Sequence, residues 1–175
     1  MLSLFRRRRL PADRRPPLGP EERIVAWATA AGDEVVVLTN HGIWLPGVQA
    51  RLGWHEIHKA TWSGRQLALV ASREVLSASD YAVMEDEPAT VHTLLEPGDV
   101  PAQVRSRVTK SIAYTQHHPV SGGGVWVVAR RVPGVDGLRW TVRYDSGVDR
   151  GSEEVRSATA DLVEYGRSSV ESGPP

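Results

Sequence analysis

The sequence predicts an α+β protein: an antiparallel β-barrel or sandwich with a capping helix, then a β-hairpin and a second helix. Three observations carry this. Short runs rich in β-branched residues succeed one another up to residue 95, each closed by a turn signal. A run with a valine at every fourth position follows. Two alternating strands around Pro-Gly-Val-Asp-Gly then precede an amphipathic carboxyl-terminal stretch.

Residues 1–20 carry six arginines among prolines and show little apolar periodicity, so they read as a basic, flexible or loosely docked arm. RIVAWATA alternates Ile24, Ala26 and Ala28 against Val25, Trp27 and Thr29, and AGDE turns the chain. EVVVLTN is a β-branched strand ended by Asn40-His41-Gly42, and GIWLP is a short strand stopped by Pro46. RLGWHEIHKATW, QLALVAS, YAVMED and ATVHTLL supply four further strands, separated by Ser63-Gly64, Ser77 to Asp80 and Glu87-Pro88. Short strands at this spacing suit a closed barrel or a sandwich.

From Val100 the period changes to that of a helix. Val100, Val104, Val108 and Ile112 form one stripe, Asp99 stands as N-cap, and Pro101 is tolerated in the first turn. TQHHPVSGGG reads as a loop. VWVVARRV and LRWTVRYD form a hairpin, with Leu138, Trp140, Val142 and Tyr144 on one face of the second strand and Arg139, Thr141 and Arg143 on the other. Ser152 caps a last helix whose expected buried stripe is Val155, Ala158, Leu162 and Tyr165, and Glu153 and Glu154 complement its dipole. The expected organisation is an arm over 1–20, a barrel with its helix over 21–115, a hairpin–helix extension packed on the barrel over 116–170, and a tail over 171–175.

Composition limits the chemistry. Hydrophobic residues make up 41% of the 175, enough for a sizeable core. The chain has no cysteine, which excludes disulfides, thiolate zinc sites, iron–sulfur ligation and a cysteine nucleophile together. No apolar run approaches the roughly 20 residues that span a bilayer, and the order of apolar and basic residues at the start is the reverse of a signal peptide. A cytoplasmic protein is expected. Lys and Arg equal Asp and Glu at 21 each, yet the first 23 residues hold seven arginines against three acids. Positive charge is concentrated at the amino end, on a mildly acidic body.

The stretch EVVVLTNHGIWLP…RLGWHEIHKATWSGRQLALV resembles the bacterial pleckstrin-homology pattern. There an apolar strand ends in Leu-Thr-Asn/Asp, a short strand follows, and then come a basic residue, a Trp and an Ile. Leu38, Thr39, Asn40, Gly42, Ile43, Arg51, Trp54 and Ile57 stand in those places. The resemblance covers residues 20–114 and implies a pleckstrin-homology-like barrel. The whole chain also resembles a family of uncharacterised actinobacterial proteins that share the basic start, a Leu-Pro pair, the Trp-His-Glu-Ile/Val segment and the Gly-rich hairpin. Neither resemblance implies an activity, because this fold hosts lipid, peptide and protein binders alike.

Several candidate sites dissolve on their spacing. A zincin needs His-Glu-x-x-His on a helix. Here only two residues separate His55 from His58, in what reads as a strand, where residues three apart face opposite ways. Trp54 and Ile57 share that spacing, so a bulge or twist is needed for both to anchor the core; Trp140 is the anchor expected in the hairpin. His117 and His118 are adjacent, with no carboxylate near in sequence, and His41 and His92 are isolated. The glycines of SGGG precede a strand rather than the helix a phosphate cradle requires. No Gly-x-Ser-x-Gly is present, and Glu85, Asp86 and Glu87 read as a solvated acidic turn. Helix, hairpin and helix over 99–170 lack one strand of the double-stranded-RNA-binding order, so nucleic acid is a weaker partner.

No catalytic, metal or cofactor residue emerges. The expectation is a non-catalytic binding or adaptor protein acting on another protein. The alternative is peripheral attachment to an anionic membrane surface, with Leu4 and Phe5 inserting beside Arg6, Arg7, Arg8 and Arg9, each basic residue adding about 1 kcal/mol. A small metal-dependent or RNA-binding protein comes third.

Overall fold

The computed structural model describes residues 8–173 and contains two helices and two sheets of mostly antiparallel, curled strands that form a half-barrel. β1 (Ile24–Ala30), β2 (Glu34–Thr39), β3 (Gly42–Trp44) and β4 (Leu52–Gly53) make the first sheet, in sequence order. Gly32 and Asp33 both adopt left-handed φ in the β1–β2 turn, at 80° and 58°, and Asp is one of the few side chains that tolerate it. The second sheet holds β5 (Ile57–Ser63), β6 (Gln66–Ser77), β7 (Ala82–Asp86), β9 (Ile112–Val120), β10 (Gly123–Arg131) and β11 (Leu138–Tyr144), in the order β5-β6-β7-β11-β10-β9. β8 (Thr90–Thr93) pairs with the first half of β6. A bridge between Ala30 and Leu94 joins the end of β1 to this sheet.

Two cores result. The first gathers Val36, Leu38 and Ile43 from one sheet and Ile57, Leu67 and Leu69 from the other, under α1 (Val100–Ser111). Val100, Val104 and Val108 of α1 are buried as the four-residue spacing predicts. Ile112 is not a fourth member of the helical stripe, because α1 ends at Ser111 and Ile112 opens β9. Asp99 makes no side-chain cap; its carboxylate accepts from Gln103 Nε2 at 2.9 Å. The second core packs Val125, Val127 and Ala129 of β10 and Trp140 and Val142 of β11 against α2 (Glu153–Glu171).

Of the two alternatives for the arm, flexible or loosely docked, its described part is docked. From Arg8 onward it lies against the outer face of the first sheet, where cross-strand pairing aligns Trp27, Val37 and Trp44 in a row. Leu10 is 6% exposed, Trp27 Nε1 donates to the Arg8 carbonyl at 2.9 Å, and Arg14 pairs with Asp33 at 2.8 Å. This cover explains the unbroken apolar run of β2: Val36 and Leu38 face the core, while Val37, at 1% exposure, is closed off on the other side.

TQHHPV is strand rather than loop. β9 pairs with β10 from Val120 back to Ile112, so a three-stranded meander follows α1 and the expected boundary at 115 falls inside β9. Of the glycines, Gly122 makes the tight turn with Ser121, and Gly123 and Gly124 open β10. This meander shares a sheet with the half-barrel through a parallel pairing of β11 with β7, at Thr141–Ala82 and Val142–Val83. Helix, three strands and helix are thus all present, but α1 belongs to the first core and α2 to the second, and α2 opens on two glutamates. That charge is unsuited to a phosphate backbone.

α2 buries Val155, Thr159, Val163 and Gly166; of the expected stripe Val155 is buried, Ala158 and Leu162 are half-buried with Leu162 against the core, and Tyr165 is 60% exposed. Thr159 is buried because its hydroxyl bonds the Val155 carbonyl and the Tyr144 hydroxyl, at 2.7 and 2.8 Å. Gly166 is buried because the helix rides on Trp140: a Cβ there would lie 2.8 Å from the indole ring. Ser152 accepts Arg156 N–H through its carbonyl, and its side chain makes no cap.

A buried carboxylate ties the first sheet together. The Glu22 side chain is fully buried and accepts from Gly19 N, Thr39 Oγ1, Trp44 Nε1 and Arg51 Nη1, at 2.8, 2.7, 3.1 and 2.7 Å. Burial alone would raise its pKa; the hydrogen bonds and the Arg51 charge outweigh burial and lower it. Glu22→Ala leaves four donors without their acceptor and is expected to cost on the order of 3 kcal/mol. Urea unfolding near neutral pH measures that loss.

Candidate functional site

Two surfaces concentrate binding chemistry. The first is the open edge of β1. Backbone alternation aims the Thr29 carbonyl outward, where it accepts Leu95 N–H at 2.9 Å. The same alternation points the N–H and C=O of Trp27 to that edge, where no backbone group among the described residues pairs with them. A groove of about 670 Å³ runs alongside, bordered by Arg9, Leu10, Arg15, Val25, Trp27 and Glu96. Arg8 forms an ion pair with Glu96, whereas Arg9 and Arg15 have no carboxylate within ion-pair distance among the described residues. Leu4, Phe5, Arg6 and Arg7, expected beside them as membrane contacts, lie outside the described residues.

The second surface is a polar groove at the seam between the half-barrel and the meander, and it begins with the Trp-His-Glu-Ile segment. That segment is not one continuous strand. Trp54–Glu56 form a single 3-10 turn between β4 and β5. The turn lets Trp54 and Ile57, three residues apart, both enter the core, at 3% and 0% exposure. Trp54 Nε1 donates to the Thr39 carbonyl at 3.0 Å, and the Glu56 carboxylate turns back to accept Gly53 N–H at 2.7 Å. His55 folds over Gly53 so closely that a Cβ there would come within 2.5 Å of its ring.

The turn also overrides strand alternation for the histidines. His55 and His58, expected on opposite faces, border the same groove. Opposite them stand Arg130 from β10 and Arg139, Thr141 and Arg143 from β11. Arg139 pairs with Glu74 at 2.8 Å; Arg143 pairs with Asp86 and donates to Ser72 Oγ at 2.7 Å. Arg130 is 7% exposed, and its Nη1 donates to Ser111 Oγ at 2.8 Å at the end of α1. No carboxylate among the described residues lies within ion-pair distance of it. The enclosed space is about 120 Å³.

The remaining histidines stand apart. His117 and His118 alternate across β9: His117 bonds Asp145 at 2.8 Å beside Trp126, and His118 meets the edge of Tyr165 near α2. His92 lies on β8 and His41 in the β2–β3 turn. Among the described residues no three metal-ligating side chains converge. Among the described residues no helix is long and apolar enough to cross a membrane. No family model, curated protein or solved structure matches the chain.

Burial lowers the pKa of His55, His58 and His92 from their ordinary value of about 6.5. For His55 the field of Glu56 opposes the shift, while Arg139, Arg130 and Arg51 add to it. For His58, Arg143, Arg130 and Lys59 add to it and Asp86 opposes it. The folded imidazoles stay neutral where those of the unfolded chain take up protons. This contribution to stability is therefore complete above about pH 6.5 and is lost as pH falls below it. The urea midpoint is expected to drop between about pH 7.5 and pH 5.5, with a shallower drop in the His55→Gln/His58→Gln double variant.

Proposed function

We propose that this protein is a non-catalytic binding module, an adaptor of the cytoplasm built on a pleckstrin-homology-like barrel, and that it engages a partner protein through the open edge of β1. The observation that carries this reading is the backbone of Trp27, which no described residue pairs, beside a basic-rimmed groove. An extended segment laid there gains main-chain hydrogen bonds, as in strand addition, and places alternate side chains into the groove. Arg9 and Arg15 at the rim favour acidic side chains in that segment. The groove's volume falls in the range of about 300–1,000 Å³ typical of ligand sites.

The pleckstrin-homology-like reading has support in the arrangement of strands. A four-stranded sheet faces β5, β6 and β8 across one core, with α1 over it. The anchoring of Trp54 and Ile57 fits the motif that suggested it.

Selection from a random peptide library, followed by hydrogen exchange, tests the assignment. Acidic extended peptides are expected to bind and to slow exchange at the amides of Trp27 and Thr29. Arg9→Glu/Arg15→Glu is expected to weaken them by roughly tenfold, two rim charges at up to about 1 kcal/mol each. Binding to anionic vesicles with no peptide bound would replace this reading with membrane attachment through the arm. Peptides that leave those amides unprotected would remove it.

A further inference from the structure

The seam groove has a charge arrangement that the β1 edge does not explain. Three guanidinium groups converge from β10 and β11, and two of them have carboxylate partners: Arg139 has Glu74 and Arg143 has Asp86. The third, Arg130, is the most deeply buried and has only neutral oxygens, Ser111 Oγ at 2.8 Å and the Val108 carbonyl at 3.5 Å. Both bonds use the same nitrogen, Nη1. The negative end of α1 offsets part of the charge, since a helix terminus carries about half an elementary charge. The remainder is a buried cation without a counter-ion, an arrangement that costs several kcal/mol unless something supplies the opposite sign.

The groups around it suit an anion. Of the two carboxylates that border the groove, Glu74 is paired with Arg139, while Glu56 keeps its charge, is turned back onto Gly53 N–H and forms no ion pair with Arg130. His55 Nδ1, packed against Gly53, is buried with no hydrogen-bond partner, and the His55 and His58 side chains border the groove. An imidazole kept neutral by its surroundings still carries one N–H to donate. The space, about 120 Å³, is well below the 300 Å³ or so at which pockets begin to hold whole organic ligands. It takes a group of a few atoms. Guanidinium forks match the paired oxygens of phosphate better than a single-atom halide.

We propose that the seam groove is a binding site for a small tetrahedral oxyanion of the phosphate class, held by Arg130 with His55 and His58 at its rim. This stands independently of the partner-binding edge on β1, which is built from other elements. The ligand is free phosphate or the phosphoryl group of a larger molecule, and the same contacts serve either.

Titration of the full chain with inorganic phosphate and with O-phosphoserine, at ionic strength matched with chloride, tests the assignment. Ring resonances of His55 and His58 and the thermal midpoint are the readouts. Both anions are expected to bind saturably, to shift those two histidines and not His41 or His92, and to raise the midpoint above that in chloride. Equal affinities identify the free anion as the ligand; phosphoserine at least tenfold tighter identifies a phosphoryl group carried by a larger molecule. Arg130→Gln is expected to weaken binding at least tenfold. Because Arg130 also meets the end of α1, a second variant, His58→Glu, places a carboxylate at the exposed rim. It is expected to abolish the phosphate response, judged against the same variant's own midpoint in chloride. Absence of any response beyond chloride, or binding that persists unaltered in His58→Glu, overturns the proposal.

Discussion

The corner that carries His55 and His58 into the seam groove hangs on one satisfied carboxylate. Glu22 gathers Gly19 from the arm, Thr39 from β2, Trp44 from β3 and Arg51 ahead of β4. Thr39, so held, offers its carbonyl to the Trp54 indole. That bond fixes the single turn whose next residues are His55 and, one step beyond Ile57, His58. A buried acid is costly when it lacks partners and specific when all its lone pairs are used. Here the cost is met by four donors, and the result is a rigid corner. The imidazoles then reach a groove that regular strand geometry would have denied to one of them.

β6 is the second organising element. Its first half carries Leu67 and Leu69 into the core beneath α1, and its second half, past Ser72, pairs with β7 and brings Val75 toward the other core. One strand of 12 residues thus belongs to both halves. The face left between the two cores has to accommodate polar side chains, because neither core closes over it. Arg139 and Arg143 alternate with Trp140 and Val142 along β11, so the strand that seals one core necessarily lines the groove with charge.

Much of this was legible in the amino-acid sequence. β-branched runs and turn residues gave the strands up to residue 95, and the valine period gave α1. The alternation of β11 was readable, with Arg139, Thr141 and Arg143 set on one face, though not what that face borders. What escaped did so for identifiable reasons. β9 contains Gln116, His117, His118 and Pro119, a composition that strand propensity disfavours; the strand exists because β10 supplies a ladder and α2 covers part of one face. The buried stripe of α2 includes Thr159 and Gly166, which no apolar count selects, and their reasons lie in Tyr144 and Trp140, far away in the chain. Whether the arm was flexible or docked stayed open because proline and arginine do not advertise burial; Trp27, Val37 and Trp44 needed a cover, and the arm supplies it from Arg8 onward. Of the groove itself, the spacing of His55 and His58 argued against a shared site, and only the 3-10 turn reverses that. An alternation of Arg139 and Arg143 was visible; that Arg130 would be left without an acid was a matter of tertiary placement.

The parallel ladder between β7 and β11 has a kinetic implication. Ala82 and Val83 must wait for Thr141 and Val142, which arrive only after β8, α1, β9 and β10 have been threaded between them. Contacts so distant along the chain incur loop-closure entropy before they return any energy. The half-barrel has local hairpins to assemble first, while the meander can zip up on its own turns. Their junction is then the last seam to be sewn, and during synthesis the margin of β7 stays unpaired until its carboxyl-terminal partner comes off the ribosome.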